Sequence, residues 1–553
     1  KAMEMSDFEA AYSYFENGIT FLRKRHWDEH YTLSLELFNL AANCALANSD
    51  ITSLKLLSQQ VLKKAQSFED TLNVTYFITC SLAYSSRLPL SVEKGLDILS
   101  QLGIDLRRCR SSIEACVKET KDLLSAYTSD ELLNTRRMTD STMIMAMKFL
   151  SKLMLEMAQI MPQSAPVVAK QIIQLSLDHG MNPASPLGFV HFASYAAKLG
   201  DISGGYNYVK LACSLLEKLG SRENAGEVIL IRTQVVSYIE PLQATLEYHD
   251  EGYAAAIASG DIIQAAANMY SGHISNFYSG VKLQTTREKG DEVINFIRGK
   301  NMVMFLREIQ LIQHSVLKLI GIDDDSKCSS AEENILASKN SGLKLTHCFQ
   351  KSYISFMFRL YDDTKGYAEK FLGCSASSAY ANLVISQSFN TFYIGLISFW
   401  VARNSRDEDR WHETGNKSKL ALRKWVETSQ WTFENKWYLL EAEEAFSNNN
   451  FDDAKMYYEK AISSAKAHKF VHEEALACEL AAYFYLDIGE VNNAADYCLL
   501  AHERYQEWGA IGKCTSLFRF FGRIMNDRVG SSSAIAVAVD VQSDLAHLLT
   551  IPE

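Results

Sequence analysis

The chain has 553 residues, a formal net charge of −11, and 47% hydrophobic against 22% charged residues. That is longer than one hydrophobic core sustains, so the chain splits into domains or extends as a repeat array. Its 7 prolines are too few for the turns of a β-sandwich or an α/β enzyme of this size, and no segment carries the clustered Lys and Arg that nucleic-acid binding needs.

The eleven cysteines stand singly, among them Cys44, Cys80, Cys213, Cys374 and Cys498, with no CxxC pair. Free cysteines used as small apolar fillers suit a reducing compartment, and a cytoplasmic location is expected. No signal peptide opens the sequence. It begins with Lys1, which leads to the expectation that it is one part of a longer protein.

In chain order, Arg23-Lys24-Arg25-His26 is followed by Asp28 and Glu29 and reads as a solvated helix end. Ala42 precedes a turn at Asn48-Ser49-Asp50, and Leu54-Lys55-Leu56-Leu57 opens the next helix. A second turn at Arg87-Leu88-Pro89 leads into Ser91, Gly95 and Ile98. The polar stretch 128–142, with Arg136-Arg137, reads as a loop between blocks. Ala193 then precedes Gly200-Asp201, followed by Gly205, Val209 and Ala212, and Ser259-Gly260-Asp261 separates Tyr253-Ala254-Ala255-Ala256 from Ala265-Ala266-Ala267. Another break spans 321–340 and includes Asp323-Asp324-Asp325-Ser326-Lys327.

Between Lys370 and Arg403 no charged residue occurs. A membrane-spanning helix needs about 20 mainly apolar residues, whereas this segment carries Ser375, Ser377, Ser378, Asn382, Ser386, Gln387, Ser388, Asn390 and Thr391. The expectation is a helix buried on all sides, and no membrane contact.

The clearest repeat lies near the C-terminus. Ala442-Glu443-Glu444-Ala445-Phe446 ends one amphipathic run, Asn448-Asn449-Asn450 makes a turn, and the next helix presents Ala454, Tyr458 and Ala461. The figure returns with Ala482, a turn at Asp487-Ile488-Gly489-Glu490, then Ala494, Cys498 and Ala501. Small-large-small at offsets of four and three lies along one helix face and lets antiparallel helices approach closely. Ala442 to Ala454, Ala482 to Ala494 and Ala193 to Gly205 share a twelve-residue offset, and the two C-terminal copies are 40 residues apart. The fold class is therefore all-α, an α-α superhelix of tetratricopeptide (TPR)-like antiparallel hairpins, roughly 13–15 of them. The blocks are 1–127, 143–320 and 341–529, with 530–553 as a linker or the start of a following domain.

Motifs for chemistry are missing. Gly415-Asn416-Lys417-Ser418 lacks the first glycine of a phosphate-binding loop and the strand before it. His468 and His472 stand four apart, but His472-Glu473-Glu474 lacks the second histidine of HExxH. Asp362-Asp363 and Asp452-Asp453 fall where helix N-termini are expected, where carboxylates complement the helix dipole. His191 and His314 carry no partner pattern, and Asp323-Asp324-Asp325 lacks the DDxxD spacing of helical-toroid cyclases. No catalytic residue, cofactor or metal ligand is expected.

The run from Trp431-Thr432-Phe433-Glu434-Asn435-Lys436-Trp437-Tyr438 to Glu443, with Ala461-Ile462, His472-Glu473-Glu474-Ala475-Leu476-Ala477, Glu479-Leu480-Ala481-Ala482 and Tyr505-Gln506-Glu507-Trp508-Gly509-Ala510, resembles the helical-repeat region of very large signalling proteins. Pro241-Leu242 to Glu251-Gly252-Tyr253 with Gly260-Asp261, Trp27-Asp28 to Tyr31, and Leu102-Gly103-Ile104-Asp105 extend the resemblance upstream. In that family a Ser/Thr-kinase-like domain and a STAND/AAA-type ATPase precede the repeats, and GAF and histidine-kinase domains follow. The resemblance implies a non-catalytic scaffold and regulatory arm whose partners are the flanking ATPase and kinase domains of the same chain. It transfers no catalytic residue. The alternative is a free-standing TPR adaptor for an unidentified protein or peptide ligand, although no Lys, Arg and Asn cluster recurs at repeat spacing.

Overall fold

A computed structural model describes residues 2–3, 7–85, 87–108, 112–161, 163–300, 305–322, 335–336, 341–375, 384–405 and 408–529. Among them the secondary structure is helical; one isolated bridge joins Arg137 and Met181, and there is no strand. The break expected at 321–340 lies mostly outside the described residues, as do Asp323-Asp324-Asp325, Ser377, Ser378, Asn382 and the tail 530–553. Within 128–142, read as loop, Ser129–Leu133 forms a short helix, because Thr128 and Glu131 close a reciprocal capping box.

One turn chemistry recurs along the chain. Ser49, Gly200, Gly260, Asn449, Lys469 and Gly489 all take positive φ just after a helix. The next amide then bonds back five residues, Asp50 to Ala45 O, Asp201 to Ala196 O, Asp261 to Ala256 O, Asn450 to Ala445 O, Phe470 to Ala465 O and Glu490 to Tyr485 O, at 2.8–3.0 Å. This is the Schellman closure, which satisfies carbonyls orphaned at a helix C-terminus. Asp50, Asp201 and Asp261 then accept from the amides of Ser53, Gly204 and Gln264 and start the next helix. A chain that ends and restarts helices within two or three residues must fold back antiparallel.

The chain forms two compact units. The first comprises Lys1–Val236, Glu247–Ser271 and Phe296–Phe305, and the second Ser237–Leu246, Gly272–Asn295 and Leu306–Glu553. In the first, Tyr31–Ala47 pairs with Ile51–Lys64, Phe68–Tyr84 with Leu88–Gln101, Ser141–Ile160 with Ala165–His179, and Ser185–Lys198 with Ile202–Leu219. The leading helices of successive hairpins also touch one another, from Tyr31–Ala47 through Phe68–Tyr84, Ser141–Ile160 and Ser185–Lys198 to Ala225–Val236. Two layers result. Burial of the inner layer is deepest in Ser185–Lys198, where every residue from Ser185 to Ala197 is buried. The outer layer is amphipathic and solvated on one face.

The second unit repeats this plan with Ser341–Met357 against Tyr361–Ser375, Val384–Asn404 against Glu408–Val426, Gln430–Ser447 against Phe451–Ala467, and Val471–Asp487 against Val491–Trp508. Val384–Asn404 is the helix expected to be buried on all sides. Phe392, Tyr393, Leu396, Ile397, Phe399 and Val401 are each at most 1% exposed, and among the described residues no helix is long and apolar enough to cross a membrane. The array also turns back on itself within this unit. Ile511–Val529 packs against Leu306–Ile320, and Trp508 Nε1 donates to Val281 O at 3.0 Å.

Close hairpin packing leaves no room for a side chain at Gly205, where a Cβ would meet Ala193 O at 2.7 Å. Gly→Ala inside an exposed helix normally gains up to about 1 kcal/mol. Gly205→Ala is instead expected to cost about 1–3 kcal/mol through overpacking. Urea unfolding of the two proteins side by side decides the sign.

Candidate functional site

The residues that carry the repeat signature sit between layers. Ala442, Ala454, Tyr458, Ala461, Ala482, Ala494, Cys498 and Ala501 are all fully buried. Tyr458 donates its hydroxyl to Glu443 Oε1, and Glu443 also takes Arg403 Nη2 at 2.7 Å.

Buried charges in the second unit are matched to one another. Lys436 Nζ lies 2.8 Å from Glu473 Oε2, donates to Thr432 O at 2.7 Å and stands over the Phe470 ring. Lys513 Nζ lies 2.7 Å from Glu479 Oε1, while Tyr505 donates to Glu479 Oε2 at 2.7 Å. Burial lowers the ammonium pKa of both lysines, and the facing carboxylates oppose that shift. These groups are committed to the core.

The two histidines four apart do not converge. His468 follows the end of Phe451–Ala467, its ring against Trp431, and its carbonyl takes Gln243 Nε2 at 3.2 Å. His472 is buried against Trp508, close beside Gly280. Among the described residues, no group of three or more His, Cys, Asp or Glu is placed to hold a metal ion. Gly415 lies inside the helix Glu408–Val426, packed on Phe399, so this segment is not a phosphate-binding loop. Asp362, Asp363, Asp452 and Asp453 occupy the first turns of Tyr361–Ser375 and Phe451–Ala467. His191 has a partner that its sequence context does not announce: Nε2 lies 2.7 Å from Glu227 Oε1, both buried.

In the first unit the leading helices surround a cleft of about 260 Å³. Ser141–Ile160 supplies its polar floor. The only charges of that helix, Lys148, Lys152 and Glu156, recur every fourth residue and so share one face. Lys152 pairs with Glu156, and Ser91 Oγ lies 2.8 Å from Glu156 Oε2. Lys148 Nζ stands 4.8 Å from the Tyr76 ring centroid and 5.8 Å from that of Phe77. Also in the lining, Glu227 accepts from Gln264 Nε2 at 3.1 Å, and Asp261 caps the helix that carries Gln264. Leu46, Leu88, Ile144 and Phe305 complete an apolar wall.

The nearby thiol and phenol are not activated. Burial pushes Cys80 up to about 11 and holds Tyr76 well above its ordinary range. The lining offers charged and aromatic contacts to a ligand. Of this lining, the sequence marks only Cys80 and the turns at Arg87-Leu88-Pro89 and Ser259-Gly260-Asp261. The missed signal is the four-residue charge stripe on the otherwise Met- and Leu-rich helix Ser141–Ile160.

The architecture is an all-α, two-layer helical repeat. No family model and no curated protein matches the chain. Among solved structures it is similar to a chain described as a circular tandem repeat protein with novel repeat topology and enhanced subunit contact surfaces, at 10% identity, covering 92% of this chain and 98% of that chain, with a TM-score of 0.13. A superposition at that score carries no argument here.

Proposed function

We propose that this chain is a non-catalytic helical-repeat scaffold, acting as the regulatory arm between the ATPase and histidine-kinase modules of a cytoplasmic signalling protein. The observation that carries the scaffold reading is the two-layer stack itself. Each hairpin buries its leading helix against the hairpins before and after it, so a displacement at one end loads the contacts of its neighbours. The committed ion pairs Lys436–Glu473 and Lys513–Glu479 support a structural use of the buried charges. The placement between catalytic modules rests on the resemblance of the segments around Trp431–Glu443 and Tyr505–Ala510 to that family.

The test is the size of the native protein in its source cells, by denaturing blot with an antibody against this segment. A band far above 62.2 kDa is expected. A band at that mass overturns the arm and leaves a free-standing adaptor. If the large band appears, deleting the segment is expected to uncouple ATPase and kinase activities while each persists. Unchanged coupling after deletion overturns the regulatory part.

A further inference from the structure

The cleft of the first unit has an imbalance that the scaffold role does not use. Four carboxylates line it, Glu156, Glu223, Glu227 and Asp261, against two ammonium groups, Lys148 and Lys152. Lys152 is taken by Glu156. Gln264 is 6% exposed and its Oε1 has no hydrogen-bond partner, so an acceptor is left unpaired where an unmade bond costs most. Asp261 spends one oxygen on the Gln264 amide, and among the described residues it makes no direct ion pair, Lys152 acting on it only from a distance. Donors are therefore short in the cleft and acceptors are in excess.

The aromatic side chains of the lining show what chemistry the cleft tolerates. The protein's own Lys148 ammonium already rests over Tyr76 and beside Phe77, a geometry that attracts cations to an aromatic face. Apolar side chains of Leu46, Leu88, Ile144 and Phe305 line the same cleft. A ligand that satisfies both kinds of group carries several N–H donors and a positive charge on a short apolar stem.

We infer that this cleft binds a primary ammonium or guanidinium group on an apolar stem, with Asp261 and Gln264 receiving the cation and Tyr76, Phe77 and Phe305 holding the stem. The chemistry is shared by a free organic amine and by a lysine or arginine side chain of a protein partner. This site does not depend on which domains flank the chain. Burial, then Glu227, hold the Asp261 carboxyl up at about 6, with Lys152 opposing; Tyr76 and Cys80 also face it and stay neutral near pH 7. A cation bound there favours the ionised carboxylate, so binding strengthens as pH rises through 6.

Calorimetric titration of the full chain at pH 7.5 tests this. n-Butylammonium and phenethylammonium stand for the free ligand, Ac-Ala-Lys-Ala-NH2 for the side chain, and n-butanol and phenethyl alcohol for neutral isosteres. At least one cationic probe is expected to bind about tenfold more tightly than its neutral counterpart, and the probe that binds identifies the source. Asp261→Asn keeps a good helix cap while removing the charge, and should weaken that binding about tenfold. Equal binding of alcohol and ammonium, no binding of any cationic probe up to millimolar concentration, or an unaltered affinity in Asp261→Asn with the fold intact by circular dichroism each overturns the inference.

Discussion

Glu479→Leu alone is expected to destabilise the second unit by about 3–5 kcal/mol, and Lys513→Met alone by a similar amount. Both side chains are 1% exposed and 2.7 Å apart. Removing the carboxylate leaves an ammonium in the core and strips the Tyr505 hydroxyl of its acceptor. Removing the ammonium leaves a bare carboxylate with one remaining donor. Two charges taken from water together recover most of their desolvation in mutual attraction, whereas one taken alone recovers little. The double variant Glu479→Leu/Lys513→Met is accordingly expected to cost less than either single change, its remaining loss of about 1–3 kcal/mol being the missing acceptor of the Tyr505 hydroxyl. Urea midpoints for the four proteins form a double-mutant cycle, and a coupling of at least about 2 kcal/mol is the expected result. Additive single effects would show that the pair is solvated rather than committed to the core.

Acid should weaken the second unit as pH falls from 6.5 towards 4. Burial lowers His472 from 6.5 to about 4 and His273 from 6.5 to about 4. For His472, Glu473 opposes the shift and Lys436 adds to it. A histidine whose folded value lies below its unfolded one contributes stability that is fully present above pH 6.5. Between 6.5 and 4 the unfolded chain binds a proton that the folded chain refuses, so stability falls as pH falls. Each site contributes at most about 3 kcal/mol across that window. The checking measurement is the urea midpoint from pH 7.5 to 4.5, followed by Trp508 fluorescence, whose indole centroid lies 5.2 Å from that of His472. His472→Gln with His273→Gln should flatten the slope between pH 6.5 and 4.5. A midpoint that does not move with pH in wild type would overturn the assignment.

Hairpin turns were legible because their chemistry is local. A residue that tolerates positive φ followed by Asp or Asn suffices at Ser49-Asp50, Gly200-Asp201, Gly260-Asp261 and Asn449-Asn450. The Ala, Tyr and Cys spacing around Ala454 and Ala494 was legible for the same reason, since residues three and four apart share a helix face whatever that face meets. The helix Val384–Asn404 was read as buried on all sides from its apolar run and its scattered Ser and Asn.

Partners distant in sequence were not legible. His191 meets Glu227 36 residues on, and Lys513 meets Glu479 34 residues back. Nothing local distinguishes Glu479 from the exposed Glu503 a little further along, because only the third dimension decides which glutamate finds a counterion in the core.

By itself, then, the sequence determined the helical class, the antiparallel hairpins and the close faces between them, all of which depend on turn closure and on a 3.6-residue period. The tertiary structure alone decided that the second unit turns back through Trp508 and Val281, and that the leading helices of the first unit enclose a cleft. Curvature accumulates from small rotations between successive hairpins, and no single repeat encodes the side chains that such a path brings face to face.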